Sequence, residues 1–158
     1  MKPSRGFTLI ELIVVLAIVA VLGATAAPKF FNLQKEARKS AVNELRKAVD
    51  SARVMAAAVL VANASPASSS LTIEGSTVTM GSGYPLATAG GILNAVRIDS
   101  SVFTTVVGPS TNPVISSGMV YFGAKAATTF STCGFTYSDA ATTSGQTAFT
   151  STPVLTGC

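Results

Sequence analysis

Histidine and tryptophan are both missing from the 158 residues, and only two residues are cysteine. Without imidazole there is no Ser-His-Asp or Cys-His nucleophile arrangement and no histidine metal site, and two cysteines cannot build a four-thiolate zinc centre. Charge is scarce as well. Asp, Glu, Lys and Arg make up 11% of the chain, against about 25% in an ordinary soluble domain. These shortages point away from a hydrolase or metalloenzyme and toward a structural or membrane-linked chain. The length suits one domain. The hydrophobic share of 48% and the net charge of +4 are averages over unlike segments.

Residues 1–6, Met-Lys-Pro-Ser-Arg-Gly, are short, polar and basic. Residues 7–27 form a run of 21 in which Glu11 is the one charge. Residues 28–62 hold seven of the eleven Lys and Arg, with three acids among them. Residues 63–158 carry only five charges but 32 Ser or Thr.

The apolar run is long enough for a bilayer core, roughly 30 Å as a helix. Lys2 and Arg5 precede it, so the positive-inside rule leaves the amino end in the cytoplasm. Three readings compete: a cleaved secretory signal, a plain membrane anchor, or a signal that loses only its basic leader while the apolar run stays. Ala24-Thr25-Ala26 fits a small-residue cleavage site. Glu11 argues against a secretory signal, because a carboxylate in the apolar core costs roughly 2.5–3.5 kcal/mol. A transient signal has no use for that cost, whereas a buried functional acid does.

From residue 28 onward the pattern stays helical but becomes amphipathic. Ala41, Leu45, Ala48, Ala52, Met55 and Val59 recur at alternating spacings of four and three and are expected on one buried face. A helix from Phe7 to about Ala62 spans roughly 80 Å. That suits a stalk whose lower part buries in partners and whose upper part covers its own head. Pro28, with Gly23 nearby, is expected to kink or loosen it. The basic collar over 29–53 reads as a solvated face compensating acids on neighbours. A nucleic-acid footprint is the sharper reading, but it lacks interleaved aromatics beyond Phe30 and Phe31, so nucleic acid is not an expected partner.

Asn63 to Ser70 ends the helix with small polar residues and Pro66. Beyond it the pattern turns to β. Leu71–Ile73 and Thr77–Met80 flank Glu74-Gly75-Ser76 as a hairpin, and Gly81–Pro85 reads as a turn. Gly91–Arg97 reads as one or two helical turns. Val102–Val107, Val114-Ile115, Met119–Phe122, Phe130–Tyr137 and Thr147–Leu155 are further strand candidates, with Ser144-Gly145 among the turns between them. The expected class is α+β, a small antiparallel sheet packed on the upper half of a long amino-terminal helix. Gly81-Ser82-Gly83 begins like a phosphate-binding loop, but Leu86 stands where the third Gly belongs. Glu74, Asp99 and Asp139 are the head's only acids, thin for calcium, so neither a metal nor a cofactor is expected and no enzyme is indicated. The Ser/Thr content reads as sheet and loop surface. O-glycosylation of Ser65, Ser68, Ser69 or Ser70 is the sharper alternative, and the sequon Asn63-Ala64-Ser65 carries little weight in a bacterium-like export system.

Gly6-Phe7-Thr8-Leu9-Ile10-Glu11-Leu12 resembles the processing site of type IV prepilins and the related pseudopilins. The resemblance implies cleavage after Gly6 and N-methylation of Phe7, with Glu11 fifth from the cut, where the family places its acid. It also implies that Phe7 and Glu11 serve subunit assembly, the Phe7 ammonium of one subunit meeting Glu11 of another. Paired charges in an apolar core cost far less than one alone. Glu11 snorkelling to lipid headgroups is the plainer reading. Gly23 and Pro28 sit where the family's helix is broken, a stretch the resemblance implies can melt in the filament.

The organisation so implied is a leader at 1–6, a transmembrane and polymerisation helix at 7–27, its amphipathic continuation at 28–62, and a β head at 63–158. Within the head, Cys133 and Cys158 stand in what topology places outside the cytoplasm, where disulfides persist. Closing that loop of about 26 residues is worth roughly 3–4 kcal/mol; two free buried thiols are the alternative. Type IV pilins resemble this too, commonly ending in a disulfide-bounded loop.

Residues 26–38, with Gly83-Tyr84-Pro85 and Gly91-Ile92-Leu93, are similar to the mannose-sensitive hemagglutinin type of type IVa pilin. The implied function is the major structural subunit of an extracellular type IV pilus, held in the inner membrane before assembly and serving surface attachment or motility. A pseudopilin of a type II secretion system and an initiating minor pilin are the alternatives. The implied partners are further copies in a helical filament, a prepilin peptidase, the inner-membrane assembly machinery, minor pilins, and a host or abiotic surface.

Overall fold

The computed structural model describes residues 6–139 and 148–158. Most of the expected leader, the Ser144-Gly145 turn and the first residue of the 147–155 strand lie outside the described residues. The chain divides into two compact units, one reaching to Ala37 and the other running from Arg38 to Cys158.

One helix, α1 (Leu9–Ala62), provides the regular structure of the first unit and opens the second. In the first unit no described residue is buried. Its apolar side chains cover every face of the helix, long and apolar enough to cross a bilayer by length and composition. The helix continues through Gly23 and Pro28 without a break. A proline removes one interior hydrogen bond, and the Ala- and Leu-rich turns around it carry the helix past that gap.

The second unit has its own core. The buried stripe of α1 is Val42, Leu45, Val49, Ala56 and Leu60. It keeps Leu45 of the expected stripe, and Ala52 and Val59 pack against the core half-buried, but Ala48 and Met55 are exposed. Both sets of positions repeat at helical spacing. Val42 and Val49 take the inside in place of Ala41 and Ala48, removing more apolar surface from water, whereas farther on the small Ala56 is buried and Met55 lies outside.

Three strands follow: β1 (Ser70–Ile73), β2 (Ser76–Gly81) and β3 (Tyr84–Pro85), an antiparallel meander. Its turns are Glu74-Gly75 and Ser82-Gly83, with φ of 47° and 80° in the first and 52° and 86° in the second. Positive φ at both central residues gives the turn twist that matches paired strands, and glycine takes the second position without steric cost. The expected Gly81–Pro85 turn is thus shorter, since Tyr84 and Pro85 pair back onto Gly81 and Met80. The proline sits in an edge strand, where its missing N–H is tolerated. Leu71, Val78 and Met80 of this sheet form one core with Ala56 and Leu60.

A short helix α2 (Ile92–Ala95) leads to β4 (Phe103–Val107), the small hairpin β5 (Ser110–Thr111) and β6 (Val114–Ile115), then β7 (Met119–Ala124), β8 (Gly134–Ser138) and β9 (Phe149–Thr150). The second sheet has the order β4-β7-β8-β9. Val42, Leu45 and Val49 form a core with Val120, Phe122, Phe135 and Tyr137, closed by Ile92 and Val96. Phe122 and Phe135 are register partners whose rings stack at 5.0 Å. The architecture is α+β, as expected, with the strands among the described residues in three antiparallel sheets rather than one. The expected Phe130–Tyr137 strand is split. Phe130–Thr132 forms a 3-10 turn that lays Phe130 edge-on against Tyr121, covering the outer face of β7.

Candidate functional site: a capped acid at the amino end

Residues 6–8 are not helical, and Gly6, Phe7 and Thr8 are exposed. The Gly6–Phe7 peptide therefore lies in open backbone just ahead of α1. Thr8 caps the helix. The Glu11 carboxylate accepts hydrogen bonds from the Thr8 backbone N–H at 2.9 Å and from its hydroxyl at 2.8 Å, and the Glu11 N–H donates back to the hydroxyl at 3.3 Å. This is a reciprocal capping box of the Thr-x-x-Glu form, satisfying donors that a helix start leaves without intrahelical partners. A carboxylate in the first turn also faces the positive end of the helix dipole.

Glu11 thus has a local role beside the assembly role suggested by its position. Thr8 is the residue the sequence reading passed over, although Thr8-Leu9-Ile10-Glu11 carries the capping signature. Phe7, Ile10, Glu11, Val14 and Val15 line one shallow depression of about 340 Å³. Glu11 is the one charged residue among those five, and all of them are exposed among the described residues.

Comparison with known proteins decides the kind of amino end this is. The family described as "Prokaryotic N-terminal methylation motif" matches residues 1–27. A type IV major pilin protein PilA of Myxococcus xanthus is 42% identical over 50 residues, covering 32% of this chain and 23% of that protein. Over these residues the chain is similar to a type IV major pilin. A second pilin relative, the type IV narrow pilus major component PilA5 of Thermus thermophilus, is 42% identical over 53 residues, 34% of this chain and 46% of that protein. The chain therefore spans less than half the length of either pilin in the matched region. No solved structure matches. The methylation motif and the exposed apolar helix fit a precursor anchored in a membrane by its amino-terminal segment.

In the head, Cys133 and Cys158 are joined by a disulfide. Among the described residues no three His, Cys, Asp or Glu side chains gather as a metal would need. The head's acids are dispersed. Glu74 faces Arg97 at 3.5 Å, Asp139 accepts the Ala87 N–H at 3.0 Å, and Asp99 accepts the Ser101 hydroxyl at 2.6 Å and its N–H at 2.8 Å. Those two bonds hold the Asp99 carboxyl below the usual range. The collar also looks different in three dimensions. Arg38, Arg46 and Arg53 do not simply face solvent; they donate to the backbone carbonyls of Cys158, Ser151 and Ala148 at 2.7, 3.0 and 2.6 Å. Their spacing of eight and seven residues puts them on one helix face, a signal present in the sequence. Their acceptors are backbone groups, which leave no trace there.

Proposed function

We propose that this chain is the structural subunit of an extracellular type IV pilus, made as a membrane-anchored precursor and polymerised through the amino-terminal half of α1. The observation that carries the reading is the contrast in burial. The first unit exposes apolar side chains on all sides and opens with a capped acid, whereas the second is fully cored on its own. A bilayer covers such a segment before assembly, and neighbouring copies cover it afterward.

Processing cuts the open Gly6–Phe7 peptide and methylates the new amine of Phe7, which stays a cation at neutral pH. In the assembled state that ammonium faces Glu11 of another copy, and the carboxylate exchanges its contacts with Thr8 for an ion pair in an apolar setting. Gly23 and Pro28 mark where α1 loosens on assembly. A prepilin peptidase, an assembly platform and minor pilins are the partners this route requires. The finer likeness to the mannose-sensitive hemagglutinin type rests on residues 26–38, 83–85 and 91–93.

Amino-terminal sequencing of the native protein, followed by electron microscopy of sheared surface filaments, tests the reading. N-methyl-Phe7 in thin filaments is the expected result. A start at Ala27, or a periplasmic protein never found in filaments, overturns it. Glu11→Ala is expected to lower filament yield at least tenfold while membrane insertion stays intact. Normal filament numbers in that variant end the pairing mechanism.

A further inference from the structure

The segment 148–158 is held on two sides. Toward β8, its Ser151 and Val154 N–H groups donate to Thr136 and Gly134, both at 2.8 Å, and the Gly157 N–H donates to Thr132 at 3.0 Å. Toward α1, its Ala148, Ser151 and Cys158 carbonyls accept from Arg53, Arg46 and Arg38. The spacings agree. Arg46 and Arg53 are about 10 Å apart along the helix, and three extended residues from 148 to 151 cover about the same distance. From Ala148 to Ser151 the segment therefore runs antiparallel to α1, and a turn at residues 156–157 brings Cys158 to Arg38. Hydrogen bonds from a guanidinium are charge-assisted and stronger than neutral ones. Arg53 is further fixed by Asp50 at 2.9 Å and lies 5.5 Å over the Tyr84 ring. The Arg38 contact is at Cys158 itself, the residue bonded to Cys133.

We propose that Arg38, Arg46 and Arg53 dock the 148–158 strap on α1 before the Cys133–Cys158 bond exists, and so template that disulfide. The docked strap holds the Cys158 thiol beside Cys133, so oxidation fixes an arrangement already made. In the closing step the two thiols give two protons and two electrons to a small-molecule disulfide, which becomes two thiols as the S–S bond forms. The proposal does not depend on the filament reading, since it concerns the head alone.

The test uses the full chain in detergent, reduced and then equilibrated with mixtures of reduced and oxidised glutathione. Alkylation and mass measurement give the disulfide fraction, and from it the effective concentration of one thiol at the other. The Arg38→Gln/Arg46→Gln variant leaves Arg53 and its Asp50 pair in place. Its effective concentration is expected to be at least tenfold below wild type, with Arg38→Lys/Arg46→Lys in between. Amide exchange at Ser151, Val154 and Gly157 in the reduced wild-type protein is expected to be at least tenfold slower than in the reduced Gln variant. Equal effective concentrations in wild type and the Gln variant overturn the proposal. If the Gln variant fails to fold, Arg38→Lys/Arg46→Lys decides: an effective concentration below wild type supports the proposal, and one equal to wild type overturns it.

Discussion

Leu16, Ile18 and Val19 are 55–59% exposed, whereas Val42, Leu45 and Val49, farther along the same helix, are at most 8% exposed. The residue types hardly differ. The pattern around the helix does. Up to Leu33 apolar residues occur at every angle, so a partner on one side can never cover them all. Beyond Arg38 they narrow to a stripe that the two larger sheets of the head cover, with charged residues on the remaining faces. A stripe marks a helix that can be satisfied within its own chain. An all-round apolar surface marks one that must be completed by lipid or by other copies.

Changes confined to one unit should leave the other untouched, which gives direct ways to break this contrast. The largest effect is expected from Phe135→Ala, which empties a fully buried site stacked on Phe122. Loss of about 3–5 kcal/mol of head stability is expected in urea denaturation, with membrane insertion unchanged. Loss of insertion in the same variant would show that the two units are not independent. A smaller effect is expected from alkali. Burial raises the Tyr137 hydroxyl well above its ordinary range, and the neutral O–H donates to the Pro85 carbonyl at 2.6 Å. The unfolded chain ionises this group from about pH 10, while the folded head keeps it protonated. Its contribution is therefore intact below about pH 10 and is lost as pH rises further, at up to about 1.4 kcal/mol per pH unit. Tyr137→Phe should flatten that slope in a denaturation series from pH 9 to 11; an unchanged slope would assign it to another group. The smallest effect is expected from Thr8→Ala, about 1 kcal/mol confined to the first turn of α1. Amide exchange at Leu9–Glu11 should rise roughly fivefold, with no change in head melting. A shifted head melting temperature would contradict the division.

Much of this contrast is legible in the sequence, because it is written in periodicity. The apolar run, the amphipathic continuation, the β1–β2 hairpin and the paired cysteines can all be read there. The errors share a cause. Leu45 is buried as the period predicts, but Ala41 and Val42, or Met55 and Ala56, fit that period equally well, and only packing in the two cores chooses between them. Tyr84-Pro85 became a strand because a two-residue turn at Ser82-Gly83 sends the chain straight back. Phe130 left its strand because its ring covers Tyr121 from outside. At the amino end, Glu11 stood out as a lone charge, and that prominence hid its short-range bond to Thr8. The arginine contacts were beyond reach, since a carbonyl acceptor has the same sequence signature at every position.

Val42 and Cys158 share one core although nearly the whole head lies between them in the chain. That separation has a kinetic consequence. Closing long loops costs entropy before the contacts that repay it can form, so the sheet on Val42, Leu45 and Val49 assembles late, while the tight β1–β2–β3 meander can form at once from neighbouring residues. During synthesis the inner face of α1 therefore stands bare until β7, β8 and the strap have emerged. A chain interrupted before residue 148 would keep part of that face open to water and to the same face of its neighbours. Residues 148–158 are thus the segment whose arrival closes this face.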